Sequence, residues 1–212
     1  MKNVELKKAL ENAMQAARDV GVLLKKNLDK PKKINATTQH DIKLDLDVRS
    51  QRFIERFLTR NYPGIPVLGE EGTTGDIQEE YRWVIDPIDG TVNFTHGIPH
   101  ACISIALQGR INTGADSGPF SAVFPDGYET LLGVVYDPFC DEMWTAVRGL
   151  PARMNGRKIA VSQRKKLNES IVSMGFAKYD TTLAQMMPVF VNLVPKVRKI
   201  RIMGAAAISL VW

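Results

Sequence analysis

The stretch Trp83-Val84-Ile85-Asp86-Pro87-Ile88-Asp89-Gly90-Thr91-Val92-Asn93-Phe94 decides how this chain is read. It begins as an apolar, strand-like run and ends in two carboxylates, a glycine and a threonine. Pro87 fixes one backbone angle, so the chain bends between Asp86 and Asp89 and both carboxylates can face one point. The carbonyl of Ile88 lies between them as a further oxygen ligand. Gly90 lets the backbone approach an anion closely. Thr91 is expected to cap a short helix, Val92-Asn93-Phe94, whose free N–H groups suit a phosphate. Upstream, Pro66-Val67-Leu68-Gly69 runs into Glu70-Glu71-Gly72. With Arg82-Trp83-Val84-Ile85 it reads as a hairpin around a polar, glycine-containing loop. If the two strands pair, Glu70, Asp86 and Asp89 converge. Three carboxylates at one point raise each other's pKa unless a cation neutralises them. Oxygen-only ligands suit Mg²⁺ or Mn²⁺ and argue against zinc. The same residues also fit a turn with solvated acids, since Asp-Pro and Asp-Gly are common turn formers.

On the N-terminal side, Leu6, Leu10, Ala13, Ala17, Val20 and Leu24 recur at helical steps and predict a helix over residues 4–28. A second helix is predicted over residues 41–61, with Leu44, Val48, Ile54, Phe57 and Leu58 inward and Tyr62-Pro63-Gly64 as its stop. Asp41 and Asp45 are placed on its exposed face. Residues 101–107, 131–136 and 142–147 read as strands. Between the first two, residues 109–129 are rich in Gly, Pro, Asp and Ser and read as an extended surface loop. Asn155-Gly156 predicts a tight turn before residues 158–161. Residues 170–176 and 197–202 read as strands joined by a helical segment, despite Pro188. Residues 204–212 read as the opening turns of an apolar helix that stops without cap or breaker, so a C-terminal part is expected to be missing.

This order predicts an α+β or layered α/β fold rather than regular βαβ alternation. One domain is expected over residues 1–212, with an N-terminal α+β part to about 165 and the start of a C-terminal α/β part from about 166.

Composition sets the class. With 212 residues, 44% hydrophobic and 24% charged, the chain matches ordinary globular proteins. No apolar run is long enough for a membrane span, and the N-terminus lacks the apolar core of a signal peptide, so a cytoplasmic location is expected. The net charge of +5 is spread over several short Lys/Arg groups without interleaved aromatics, which argues against nucleic-acid binding. Cys102 and Cys140 both read as buried structural thiols. His40, His96 and His100 read as loop and packing residues, because Gly97 and Pro99 break helical spacing between the last two.

The pairing of Gly69-Glu70-Glu71 with the stretch from Trp83 to Phe94 resembles the signature of the inositol monophosphatase family. Asp47, Gly133-Val134-Val135-Tyr136, Asn155-Gly156 and Gly204-Ala205-Ala206 fall in the family's order, so the resemblance covers essentially the whole chain. It implies a layered sandwich of the inositol monophosphatase–fructose bisphosphatase type. It also implies Mg²⁺-dependent hydrolysis of a small phosphate monoester, myo-inositol monophosphate first, by metal-activated water. A nucleotide 3′-phosphate, a sugar phosphate, histidinol phosphate or a non-catalytic metal-binding remnant are the alternatives.

By the resemblance, Glu70, Asp86, the Ile88 carbonyl and Asp89 are metal ligands for two or three Mg²⁺ ions, with Mn²⁺ as a substitute. Glu70, Asp89 and Thr91 carry catalysis, and Glu70 and Thr91 position the attacking water. Ile88, Asp89, Gly90, Thr91, Gly204, Ala205 and Ala206 line the substrate, while Asp47 and Glu71 stand behind the metals. Family members carry a later Trp-Asp pair whose Asp ligates the second metal; no such pair occurs up to Trp212. Homodimers are common in the resembled family.

Overall fold

The computed structural model describes residues 3–37, 42–111, 124–176 and 180–212. Helix α1 (Asn3–Asn27) matches the predicted first helix within one residue at each end. Its inner face is Leu6, Ala9, Ala13, Ala16, Ala17, Val20 and Leu24. The alanines bring the helix close to the sheet. Gly21 marks the tightest approach, since a Cβ there would lie 2.5 Å from the Tyr136 ring.

Strands β1 (Ile34–Thr37) and β2 (Ile42–Leu44) form a small antiparallel ribbon. The second helix, α2 (Asp45–Asn61), therefore starts later than predicted. Asp45 is only half-buried; Asp41 and His40 lie outside the described residues. Its inner face also differs. Ile54 and Leu58 are buried as predicted, but so are Asp47, Ser50 and Gln51. Apolar periodicity cannot find a face that is partly polar.

Strands β3 (Val67–Gly69), β4 (Gly72–Thr74) and β5 (Tyr81–Asp89) come next, followed by helix α3 (Thr91–Thr95). Strands β6 (Cys102–Arg110), β7 (Tyr128–Asp137), β8 (Glu142–Val147), β9 (Arg153–Met154) and β10 (Arg157–Lys158) then complete one sheet. Its order is β10-β9-β8-β7-β6-β5-β3-β4. The predicted hairpin between residues 66–69 and 82–85 is not formed. β3 pairs with β5 in parallel, and the tight turn at Glu70-Glu71 leads into β4 instead. This correction favours the site. An antiparallel hairpin would have put Glu70 and Asp86 at opposite ends, whereas parallel pairing aligns Gly69 with Ile85 and sets the two acids side by side.

The predicted loop 109–129 is also shorter than read, because Gly109, Arg110, Tyr128 and Glu129 belong to strands. Its residues 112–123 lie outside the described ones. Asn155-Gly156 makes the β9–β10 turn, with both residues at positive φ as a tight hairpin requires.

Strand β11 (Ile171–Ser173), helix α4 (Asp180–Leu193) and strand β12 (Lys199–Arg201) form a parallel crossover, and α5 (Ala206–Val211) follows. Pro188 is inside α4, as predicted. Alternate residues of the large sheet serve two layers. Ile103, Ile105, Leu132 and Val134 join the α1–α2 core, while Cys102 and Val135 pack against Ala205 and Ile208 on the opposite face. The fold is a layered α+β sandwich. Among the described residues, no helix is long and apolar enough to cross a membrane. Cys140 is exposed, which corrects its reading as a buried thiol; it sits in the β7–β8 turn rather than in a strand.

Candidate active site

The acids gather at the end of β5 because of a bulge. Asp86 pairs with Ser104 and Asp89 with Cys102, so three steps on β5 match two on β6. In a regular strand, residues three apart point to opposite faces; the extra residue returns Asp89 to the face of Asp86. Pro87, which has no N–H to donate, sits within this irregular segment. Asp86 Oδ1 accepts the Ile88 N–H at 3.1 Å, tightening the bend.

Glu70 approaches from β3. Its N–H donates to the Ile85 carbonyl at 3.2 Å, one residue before Asp86. Burial, then the charges of Glu70 and Asp89, then a hydrogen bond with Glu70 push the Asp86 carboxyl up to about 8. Such a group is a proton held where a cation would be more favourable. Among the described residues, no three His, Cys, Asp or Glu side chains stand close enough to hold a metal as they are. The acids are neighbours rather than a preformed cage. Their donor chemistry still fits a hard cation: all oxygen, two half-buried acids and one exposed.

Asp89 has a task the sequence did not reveal. Its Oδ1 and Oδ2 accept the N–H groups of Ala206 and Ala207 at 3.0 and 2.6 Å. It therefore anchors the start of α5 from across the fold, where Ala205 at the helix entry offers no side-chain cap. The Cys102 thiol lies 3.5 Å from Asp89 Oδ2, and burial and the nearby Asp89 and Asp86 charges raise its pKa. That thiol is a buried neutral neighbour, as read.

Gly90 stands at the entry of α3 with φ +95°, and a Cβ there would meet the His100 carbonyl at 2.8 Å and the Ala205 methyl at 3.1 Å. We expect Gly90→Ala to cost about 2–4 kcal/mol in chemical denaturation, from positive-φ strain plus the clash. Thr91 is not the cap that was predicted, because Gly90 takes that position. Its hydroxyl instead donates to the Ile88 carbonyl at 2.8 Å. Its oxygen keeps lone pairs that can accept a hydrogen bond from water.

Asn93, which the sequence offers only as part of a short helix, makes contacts well beyond it. Its Nδ2 donates to the carbonyls of His100 and Met203 at 2.9 and 2.7 Å, stitching α3 to the Gly204-Ala205-Ala206 segment. The segment packs against Gly90 through Ala205, and its Ala206 N–H is bound to Asp89.

Asp47 is buried in the first turn of α2, where its Oδ2 accepts the Leu44 N–H at 2.7 Å. Glu71 pairs with Lys43 at 2.9 Å. His100 is buried and packs edge-on against Trp212, while His96 is exposed.

The sequence model of the inositol monophosphatase family matches residues 5–114 and 123–212. This chain belongs to the inositol monophosphatase family. The family comprises phosphoric monoester hydrolases. The chain is 32% identical to inositol monophosphatase 1 of Solanum lycopersicum over all of its own length and 73% of that protein's. It is 34% identical to the Nus factor SuhB of Xylella fastidiosa, over 97% of this chain and 70% of that one. The solved SuhB structure from Bartonella henselae superposes with a TM-score of 0.82 at 29% identity, covering 95% of this chain and 73% of the other.

Proposed function

We propose that this chain hydrolyses small phosphate monoesters, myo-inositol monophosphate first among them, in a reaction that depends on Mg²⁺. The observation that carries this reading is geometric: β3 and β5 pair in parallel so that Glu70 stands beside Asp86, and the β5 bulge returns Asp89 to the same face. Glu70, Asp86, the Ile88 carbonyl and Asp89 hold the cation, with Mn²⁺ as a substitute. Bound Mg²⁺ supplies positive charge that offsets the acids and the phosphoryl oxygens and lowers the pKa of water.

The chain's own groups do the rest. Glu70, exposed at the mouth of the site, and the Thr91 hydroxyl orient the attacking water. The backbone N–H groups of Gly90 and Thr91, at the start of α3, hold the phosphate oxygens. Gly204 and Ala205 close the substrate side, fixed there by Asn93. Asp47, held at the start of α2 by the Leu44 N–H, and Glu71, paired with Lys43 in the β3–β4 turn, stand behind the acids.

Phosphate release tests the reading. With saturating Mg²⁺, a panel of inositol monophosphate, nucleotide 3′-phosphate, a hexose phosphate and histidinol phosphate should give turnover highest with the inositol ester. Chelation with EDTA should abolish it. Metal-independent turnover, or none with any monoester, would contradict the proposal.

A further inference from the structure

We infer that Gln51 is the positioning residue for Glu70, and through Glu70 for the cation; this rests on the cation reading above. Gln51 lies on α2, far in sequence from the acids, and is buried to 4% exposure. Its Oε1 accepts the Glu71 N–H at 2.7 Å, and its Nε2 donates to the Gly72 carbonyl at 2.9 Å and to Glu55 Oε1 at 2.8 Å. The amide also lies against Gly69, where a Cβ would fall 2.3 Å from Gln51 Cδ. One side chain thus grips the residues on both sides of Glu70. Those residues form the tight β3–β4 turn, with Gly69 paired to Gly72. The Glu70 N–H is fastened to β5 at Ile85. Together these contacts leave the Glu70 backbone one position, beside Asp86.

The chemistry selects a primary amide. Accepting from one peptide N–H while donating to the next carbonyl needs both an oxygen and an NH₂ on one planar group. Methionine keeps the shape and has neither. A carboxylate keeps the acceptor and loses the donor. Without the grip, the turn spends less time in the cation-ready conformation, and apparent affinity falls by that fraction. Supporting groups of this kind typically change metal affinity about 10–100-fold when removed.

The test uses the full 212-residue chain with Mn²⁺ as probe, followed by electron paramagnetic resonance, with Mg²⁺ competition and thermal melts in parallel. Gln51→Met should weaken Mn²⁺ about tenfold, and saturating Mg²⁺ should restore most of the phosphate release. Gln51→Glu keeps the bond from the Glu71 N–H but loses both donated bonds, to the Gly72 carbonyl and to Glu55, and should stay weaker than the wild type. Glu70→Gln should also weaken Mn²⁺ about tenfold or more, and saturation should not restore its turnover. A purely structural role for Gln51 would lower the melting temperature and leave the Mn²⁺ affinity of the folded variant unchanged.

Wild-type Mn²⁺ binding in folded Gln51→Met, with weakened binding in Glu70→Gln, overturns the inference and leaves the cation reading intact. Wild-type binding in Glu70→Gln overturns both. If Gln51→Met does not fold, Gly69→Ala displaces the same amide from the other side and carries the same expected and overturning results.

Discussion

Asp86→Asn is expected to raise the stability of the cation-free protein at pH 8 while lowering its Mg²⁺ affinity at least about 100-fold. The two effects have opposite signs and one cause. Asp86 is half-buried between two other acids, and its carboxyl is pushed up to about 8 by burial first and by Glu70 and Asp89 next. At pH 8 the protein without a cation holds a partly charged group among like charges. Asparagine has the same shape, keeps an oxygen for the Ile88 N–H and carries no charge. Relief of that repulsion should be worth about 1–2 kcal/mol, or roughly 3–6 °C in melting temperature for a chain of this size. If Glu70, Asp86 and Asp89 hold the cation as proposed, the same neutral amide removes one of its charged ligands. Sites that trade stability for function behave in this way. Differential scanning fluorimetry with and without Mg²⁺ checks both signs at once. A variant destabilised without cation, or one that binds Mg²⁺ as the wild type does, contradicts the account.

Asp89 should show the second large effect, because it serves two structures. Its carboxylate accepts two N–H groups at the start of α5 and also faces the acid cluster. Asp89→Ala should cost about 2–3 kcal/mol, the range for losing hydrogen bonds to a charged group. It should also deprotect the Ala206 and Ala207 amides in hydrogen exchange and weaken Mg²⁺ about tenfold or more. Asp89→Asn retains one acceptor and should cost only about 1 kcal/mol, while losing a similar share of cation affinity. If exchange at Ala206 and Ala207 stays protected in Asp89→Ala, the anchoring role is wrong.

Much of this was readable in the residues. The strand read over residues 82–85 is extended to Tyr81–Asp89, while the first helix and the turn at Asn155-Gly156 have strong local signals and the structure places them as read. Three features had none. The parallel β3–β5 pairing depends on where the chain goes after Glu71, and strand residues do not encode direction. The polar inner face of α2 hides Gln51 from any apolar-periodicity reading, although it touches the Glu70 turn. The Asp89–α5 bonds join residues more than a hundred positions apart, and only the assembled sheet brings them together. A lone Asp could not announce that second partner. The bulge between Asp86 and Asp89 is intermediate: Pro87 signalled a bend, but only the register on β6 shows that it re-aims Asp89.

The central claim is that Glu70, Asp86 and Asp89 form a cation site whose proton is held by Asp86. Isothermal titration of Mg²⁺ into the protein at pH 6, 7 and 8, each in buffers of different ionisation enthalpy, tests it most directly. The sign is fixed by linkage. Because the Asp86 carboxyl is raised from 3.8 to about 8, the cation-free native state holds a proton across that window that the unfolded chain has released. Its contribution to stability is therefore full below the lower value and is lost as pH rises toward 8. Cation binding expels the proton, so proton release per cation should be largest at pH 6 and smaller at pH 8. Apparent affinity should rise from pH 6 to pH 8. Mg²⁺ binding without proton release, with the same affinity at pH 6 and pH 8, would contradict it.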